Sequence, residues 1–203
     1  MMRSLVMNPT IHQNRQVERA IESAQGQLSL RLTFHWLGDR YGHSLLAKAA
    51  MRETSICSSV EGDPQDALFS RPAFQELSAE RIEGNEVICL VGKSNRAYWS
   101  ASIEPLREGV GFLFDVCCKQ ANAPRSEYVL KNTFEPQLPS GLMTPLDENW
   151  YCEVQAVQHP EFGTRLDGKR ETIEIHGASQ NTLRYSRVRW MYRWEIKPYS
   201  ARK

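Results

Sequence analysis

A glutamate and a histidine near the end of the chain have the side chains that acid–base chemistry requires. Glu174 and His176 are two residues apart, so on a β-strand both point to one face. A carboxylate beside an imidazole can act as a general acid–base pair when it lies in a cleft. Ile173 and Ile175 take the buried face of that segment, so we expect the pair on the outside, where surroundings rarely tune a pKa for catalysis.

Two further histidines, His35 and His43, flank a turn that contains Asp39, and imidazole and carboxylate groups are common zinc ligands. The apolar residues have even numbers before the turn and odd numbers after it. Antiparallel pairing then puts His43 on the face of Trp36 and His35 on the opposite face. We therefore predict no metal site, and place His43 beside Trp36 at the mouth of the interior.

The same parity argument pairs the segment 97–104 with the segment 111–119. It brings Trp99 opposite Val116 on the inner face and Ser100 opposite Asp115 on the outer face. A nucleophilic site needs a third, orienting group, and no histidine is predicted beside this pair. We interpret the pair as a hydrogen bond at the surface.

Aromatic residues dominate the faces that the alternation predicts to be buried. The clearest case is the last strand, where one face carries Val188, Trp190, Tyr192, Trp194 and Ile196. Such an interior either packs as a solid core or lines a pocket for one small apolar molecule. The candidate ligand-binding residues are Trp36, His43, Trp99, Trp190, Tyr192 and Trp194.

The opposite face of the last strand carries a row of arginines, Arg187, Arg189 and Arg193. The whole chain has 25 Lys and Arg against 24 Asp and Glu, which disfavours nucleic-acid binding driven by bulk charge. We keep the row as a candidate surface for a protein partner, including a second copy of the chain in a homodimer.

Short alternating segments with turn signals between them position most of these residues. They predict a mostly antiparallel all-β protein of about eight or nine strands, arranged as a barrel or a cupped sandwich. A capping pattern at Thr10–Gln13 and a stripe at Val17, Ala20, Ile21 and Ala24 predict an N-terminal amphipathic helix over Ile11–Gln25. Asp63-Pro64 predicts a short helical insert near 64–80. We divide the chain into an N-terminal helical extension, 1–27, and a single β domain, 28–203.

Length and cysteine content limit the class of protein. A chain of 203 residues is the length of one domain with at most an appendage. Its five cysteines show no C-x-x-C spacing, so we expect reduced thiols and a cytoplasmic location. The N-terminus lacks the apolar run of a secretory signal peptide. No stretch approaches the roughly 18 apolar residues of a membrane-spanning helix.

The chain contains no Walker A, G-x-S-x-G, H-E-x-x-H or Rossmann pattern. The sequence therefore favours a non-enzymatic protein that binds a small apolar or amphipathic molecule in an aromatic-lined interior, without a cofactor. One alternative is a protein–protein interaction module or structural subunit that uses the arginine row. A second is a small hydrolase or isomerase with His43 or the Glu174–His176 pair as acid–base groups.

Overall fold

A computed structural model describes residues 17–63, 70–94, 97–121, 130–138, 141–169, 171–181 and 185–202. Apart from a 3-10 helix at Tyr199–Arg202, the regular structure there consists of β-strands. In chain order the strands are β1 (Val17–Gln25), β2 (Leu28–Trp36), β3 (Tyr41–Ala49), β4 (Arg52–Ser59), β5 (Glu76–Ile82), β6 (Asn85–Ser94), β7 (Ala97–Pro105), β8 (Val110–Ala121), β9 (Lys131–Pro136), β10 (Met143–Pro145), β11 (Trp150–Ala156), β12 (Thr164–Gly168), β13 (Ile173–Asn181) and β14 (Tyr185–Pro198).

The strands form two antiparallel sheets of seven strands each. One runs in the order β1-β2-β3-β4-β9-β13-β12, and the other in the order β5-β6-β7-β8-β14-β11-β10. The second half of β13 also pairs with β14, which joins the two sheets. In the described chain β1 and β5 end this strand order, so the fold is a sandwich-like pair of sheets and not a closed barrel. The prediction of an antiparallel all-β fold is confirmed. The predicted number of eight or nine strands is wrong: the described chain has 14, in part because β1 and β5 replace the expected helices and because β10 and β12 are short.

Strand β14 lies inside the second sheet, between β8 and β11, and the alternation predicted for it is confirmed. It pairs with β8 over its length, from Tyr185 opposite Ala121 to Ile196 opposite Val110. Its even-numbered residues from Val188 to Ile196 are all buried, and they face the inner side chains of the first sheet. This shared layer is the hydrophobic core.

The predicted N-terminal helix is wrong over Val17–Gln25, and its first residues lie outside the described chain. These residues form β1, which pairs with β2, and burial there has a period of two: Ile21 and Ser23 are buried while Glu22 is exposed. The Ser23 hydroxyl accepts a hydrogen bond from the Gly111 N–H of the other sheet. Pairing with neighbours overrides the weak helical preference of this alanine-containing segment.

The predicted helical insert is also wrong where it can be compared. Residues 64–69 lie outside the described chain, and Glu76–Ile82 form the edge strand β5. Between them Phe74 is buried in an irregular segment, and its carbonyl accepts a hydrogen bond from the Tyr41 N–H. Phe74 is therefore buried through tertiary contacts of an irregular segment and not on the face of a helix.

Parity predicted the faces correctly, but both registers differ by two residues. Phe34, not Trp36, lies opposite His43. Similarly, Trp99 lies opposite Cys118, so Asp115 faces Ser102 and not Ser100. A register shift of two residues keeps every residue on its face, so the alternation cannot reveal such a shift. The register is set by the length of the turn.

Trp190 and Trp36 differ in burial, so replacing each by alanine should lower the stability by different amounts. Trp190 is fully buried, whereas Trp36 is 38% exposed at the end of β2. We expect Trp190→Ala to lower the free energy of unfolding by about 3–5 kcal/mol. Trp36→Ala loses mainly its ring contact with Tyr41 and should cost at most about 1 kcal/mol. Urea unfolding of the two variants measures the difference, and equal losses would contradict the difference in burial between the two rings.

Candidate functional site

Five of the six candidate ligand-binding residues lie in the interior between the sheets. His43 comes from β3, and the buried aromatic rings are Trp99, Trp190, Tyr192 and Trp194. Trp36 does not join them: it stacks edge-on against Tyr41 at 4.9 Å between ring centroids and is partly exposed. The other histidine of that hairpin, His35, pairs with Gly42 and lies on the opposite face, as parity predicted.

His43 is enclosed by phenylalanine rings. Its ring centroid lies 5.9 Å from that of Phe34, 6.0 Å from that of Phe114 and 5.5 Å from that of Phe134. Its backbone N–H donates to the Ser59 hydroxyl at 2.8 Å, which fixes β3 against the end of β4. The imidazole is therefore held in an almost entirely apolar environment.

Among the described residues, the charged partner of this imidazole is Glu61, which was not predicted from the sequence. Glu61 Oε1 lies 3.4 Å from His43 Nδ1, and the side chains are only 3% and 4% exposed. This is an ion-pair contact that is longer than a good hydrogen bond. In the sequence Glu61 looks like one more acid of a surface segment, because it follows a strand and belongs to no alternation.

Backbone contacts on both sides of Glu61 determine its position. The Val60 N–H donates to the Thr133 carbonyl at 2.8 Å, and the Gly62 N–H donates to the Pro72 carbonyl at 2.7 Å. A Cβ at Gly62 would overlap the Arg71 carbonyl, so only glycine fits this close approach. The Glu61-Gly62 pair directly after a strand is the signal that could have drawn attention to the carboxylate.

Tyr192 lies on β14 and adds a polar side chain from the second sheet to this part of the interior. Its ring stacks on Phe114 at 4.8 Å and meets Phe134 at 6.2 Å. Burial raises the pKa of Tyr192 well above its ordinary value, and the negative charge of Glu61 raises it further. The hydroxyl therefore stays protonated. We call His43, Glu61 and Tyr192 the interior polar cluster.

Several polar atoms of this interior have no hydrogen-bond partner among the described residues. In the interior polar cluster they are His43 Nε2, Glu61 Oε1 and Tyr192 OH; beside it Trp194 Nε1 and Trp99 Nε1 share the property. Trp190 differs, because its Nε1–H donates to Asn132 Oδ1 at 2.8 Å. An unsatisfied buried polar group costs about 1–3 kcal/mol. An interior that keeps several of them is suited to a molecule that supplies the missing partners.

Glu174 and His176 share one face of β13, as predicted, on the outside of the sandwich. Asp167 joins them from β12, and one ligand atom from each of the three lies within 4.8 Å of the others. However, Lys131 Nζ donates to Glu174 Oε1 at 2.6 Å, and Lys169 Nζ lies 3.8 Å from Glu174 Oε2. Two ammonium groups already supply the positive charge that a metal ion would bring, so the cluster is an ion-pair network.

The pKa values of this outer pair are both lowered. The hydrogen bond from Lys131 is the main cause for Glu174, and burial is the main cause for His176. Both shifts make the folded protein bind protons less readily than the unfolded chain does, which links this network to stability at acidic pH.

The arginine row on β14 has partners within the chain. Arg189 pairs with the Asp115 carboxylate through two hydrogen bonds. Arg193 donates to Gln155 Oε1 at 2.8 Å and lies 3.3 Å from Glu195. Arg187 is exposed and donates to Cys117 Sγ at 3.4 Å. These contacts stabilise the outer surface of the second sheet.

One end of the sandwich carries two adjoining open clefts of about 500 and 690 Å³, which share Ala50, Asp147 and Asn149. The Asp147 carboxylate accepts the backbone N–H groups of Asn149 and Trp150, so it caps the turn between β10 and β11. The polar groups of this turn are used locally, in contrast to those of the interior polar cluster.

The chain matches no family model, no curated protein and no solved structure. Within its described part, no helix is long and apolar enough to cross a membrane.

The unpartnered atoms can be tested through stability. Tyr192→Phe removes a hydroxyl that has no partner, so the free energy of unfolding should fall by less than about 0.5 kcal/mol or rise. Asn132→Leu leaves the Trp190 N–H unpaired and should cost about 1–3 kcal/mol. Urea unfolding compares the two variants. A larger loss for Tyr192→Phe than for Asn132→Leu would mean that the hydroxyl is satisfied.

The outer network predicts a loss of stability in acid. Since the pKa of His176 is lowered from 6.5 in the folded state, the unfolded chain binds more protons as the pH falls below that value. The contribution is complete above about pH 7 and decreases toward about pH 5. His176→Asn should therefore show a smaller decrease in unfolding free energy between these two pH values. Parallel pH profiles for the variant and the natural chain would refute the assignment.

Proposed function

We propose that the protein binds a small, largely apolar molecule in the interior between its two sheets, anchored by the interior polar cluster. The observation that carries the proposal is the set of unpartnered buried atoms, His43 Nε2, Glu61 Oε1 and Tyr192 OH. Ligand sites combine mostly apolar walls with a few polar groups that fix orientation, and this interior has that composition.

The aromatic walls supply the apolar part of such a site. Phe114 and Phe134 contact both His43 and Tyr192, and the ring of Trp194 lies 5.8 Å from that of Phe134. Aromatic rings offer large contact area and specific edge-to-face geometry. Because these rings already contact one another, we propose a molecule no larger than a single ring or a short chain.

Acid–base catalysis, as in a small hydrolase or isomerase, is the second candidate function. It is favoured by the contact of His43 Nδ1 with a carboxylate, since this arrangement orients the imidazole of many general bases. Binding remains the first choice because it needs only the buried polar atoms and the aromatic walls, whereas catalysis would also need a nucleophile aligned with the His43 imidazole. The arginine row receives less support as a partner surface, since Arg189 and Arg193 have partners within the chain.

Binding can be measured with acetophenone, 1-phenylethanol and ethylbenzene as probes of matched size. We expect at least one of them to bind the full chain with one-to-one stoichiometry by calorimetry. The same probe should raise the Tm with concentration, because a ligand that binds only the folded state stabilises it.

Two substitutions locate the probe. Phe134→Trp fills the interior and should abolish binding, although overpacking costs about 1–3 kcal/mol of stability. Tyr98→Trp, at an exposed position of β7, adds similar volume and should leave binding unchanged. The proposal fails if none of the three probes binds, or if folded Phe134→Trp binds as the natural chain does.

A further inference from the structure

We infer that the outer face of the second sheet binds single-stranded nucleic acid across a row of three cations and one exposed tyrosine. The row crosses β6, β7, β8 and β14 and consists of Lys93, Tyr98, Lys119 and Arg187. We call these four residues the basic row. They lie on the side of the sheet that faces away from the interior, so this inference is independent of the proposed interior ligand.

Strand register places the side chains of the basic row next to one another. Tyr98 on β7 is paired with Lys93 on one side and with Lys119 on the other. Lys119 is in turn paired with Arg187 on β14. All four residues are exposed, whereas Trp99, the next residue of β7, is buried. Since neighbouring strands lie about 4.8 Å apart, the basic row is about 14 Å long.

The charges of the basic row all have the same sign. Lys119 and Arg187 lie directly opposite each other on strands that are not at the edge of the sheet, and like charges in this arrangement destabilise a sheet. Arg189, two residues further along β14, differs because Asp115 accepts its hydrogen bonds. Arg187 donates through Nε to Cys117 Sγ, which uses one of the five hydrogens of its guanidinium group. The basic row therefore favours an anionic partner.

Tyr98 distinguishes the basic row from a simple cluster of cations. Its side chain is 53% exposed and lies diagonal to Val91, which is 44% exposed on the adjacent strand. Lys93 Nζ lies 5.5 Å from the centroid of the Tyr98 ring. Bases stack on exposed aromatic rings whatever their identity, while lysine and arginine bind the phosphates. A base stacked on Tyr98 would thus have an ammonium group close to its own phosphate.

The shape of the surface favours a single strand over a duplex. The major groove of a DNA duplex is about 12 Å wide and admits a helix or a two-stranded ribbon. The basic row instead lies on the face of a seven-stranded sheet, with β5 beyond one end of it and β11 beyond the other. The bases of a duplex are also stacked on one another, whereas those of a single strand are free to stack on a protein ring.

The formal charge of the whole chain, +1, is compatible with a local site of this kind. Interactions between exposed charges are largely screened beyond about 8 Å at physiological salt, so acidic residues elsewhere on the surface act weakly on the basic row. We expect binding without sequence preference, with a Kd of about 1–100 μM at that salt concentration.

The test is fluorescence anisotropy of the full chain with labelled oligouridylate and oligothymidylate of about 12 nucleotides. At least one of them should bind saturably, and the comparison between them identifies the preferred sugar. A duplex of the same length should bind at least about fivefold more weakly, because it offers no base for stacking. For three phosphate contacts the logarithm of the binding constant should fall with the logarithm of salt concentration with a slope of about −2.

Two kinds of variant separate stacking from charge. Tyr98→Ala should weaken binding at least about fivefold with an unchanged salt slope, whereas Tyr98→Phe keeps the ring and should bind within about twofold of the natural chain. Lys93→Gln and Arg187→Gln should each reduce the magnitude of the salt slope by about 0.7. Lys48→Gln, at an exposed position of β3 in the first sheet, should change neither quantity.

The inference fails if neither oligonucleotide binds, if Tyr98→Ala binds as tightly as the natural chain, or if the duplex binds at least as tightly as the single strand. It also fails if a glutamate peptide of the same length displaces the labelled strand as well as an unlabelled strand does, because the basic row would then fit an acidic protein segment. None of these outcomes bears on the proposed interior binding.

Discussion

The two-residue period of β14 is the constraint on which the rest of the structure depends. The strand is bordered by β8 on one side and by β11 and β13 on the other, so it fixes the faces of three neighbours and joins the two sheets. A shift of one residue would exchange Trp190 and Trp194 for Arg189 and Arg193 in the core. The cost of burying those charges makes the orientation of the second sheet unambiguous.

The same constraint gives the interior polar cluster its significance. Every inner position has to be compatible with a dry core, yet His43 and Tyr192 bring polar atoms to it and Glu61 adds a carboxylate from outside the strands. Replacing a buried ion pair by apolar residues is often neutral or stabilising. The chain thus holds an arrangement that stability alone does not require, which is how binding sites commonly differ from the packing around them.

Faces could be predicted from the sequence wherever apolar and charged residues alternate, so the buried Trp190, Tyr192 and Trp194 were identified. The strand β1 was not predicted, because Ala20 and Ala24 fit a helical stripe and exposed strand positions equally well. Pairing with β2 decides between the two structures. The predicted registers are wrong by two residues, because the alternation of apolar and charged residues carries no information about turn length. Glu61 could not be found, because hydrogen bonds to residues distant in the sequence place it.

The two histidine–carboxylate pairs of this protein show why composition alone does not identify a site. On the outer face His176 lies beside Glu174, but Lys131 and Lys169 balance that carboxylate and solvent is close. In the interior His43 lies beside Glu61, and within the described chain neither side chain forms an ion pair with a lysine or an arginine. The surrounding phenylalanine rings offer no hydrogen bond. The charges of the outer pair are balanced within the chain, whereas the interior polar cluster keeps buried polar atoms that have no hydrogen-bond partner among the described residues. A ligand is the component that would complete the second arrangement, and the first needs none.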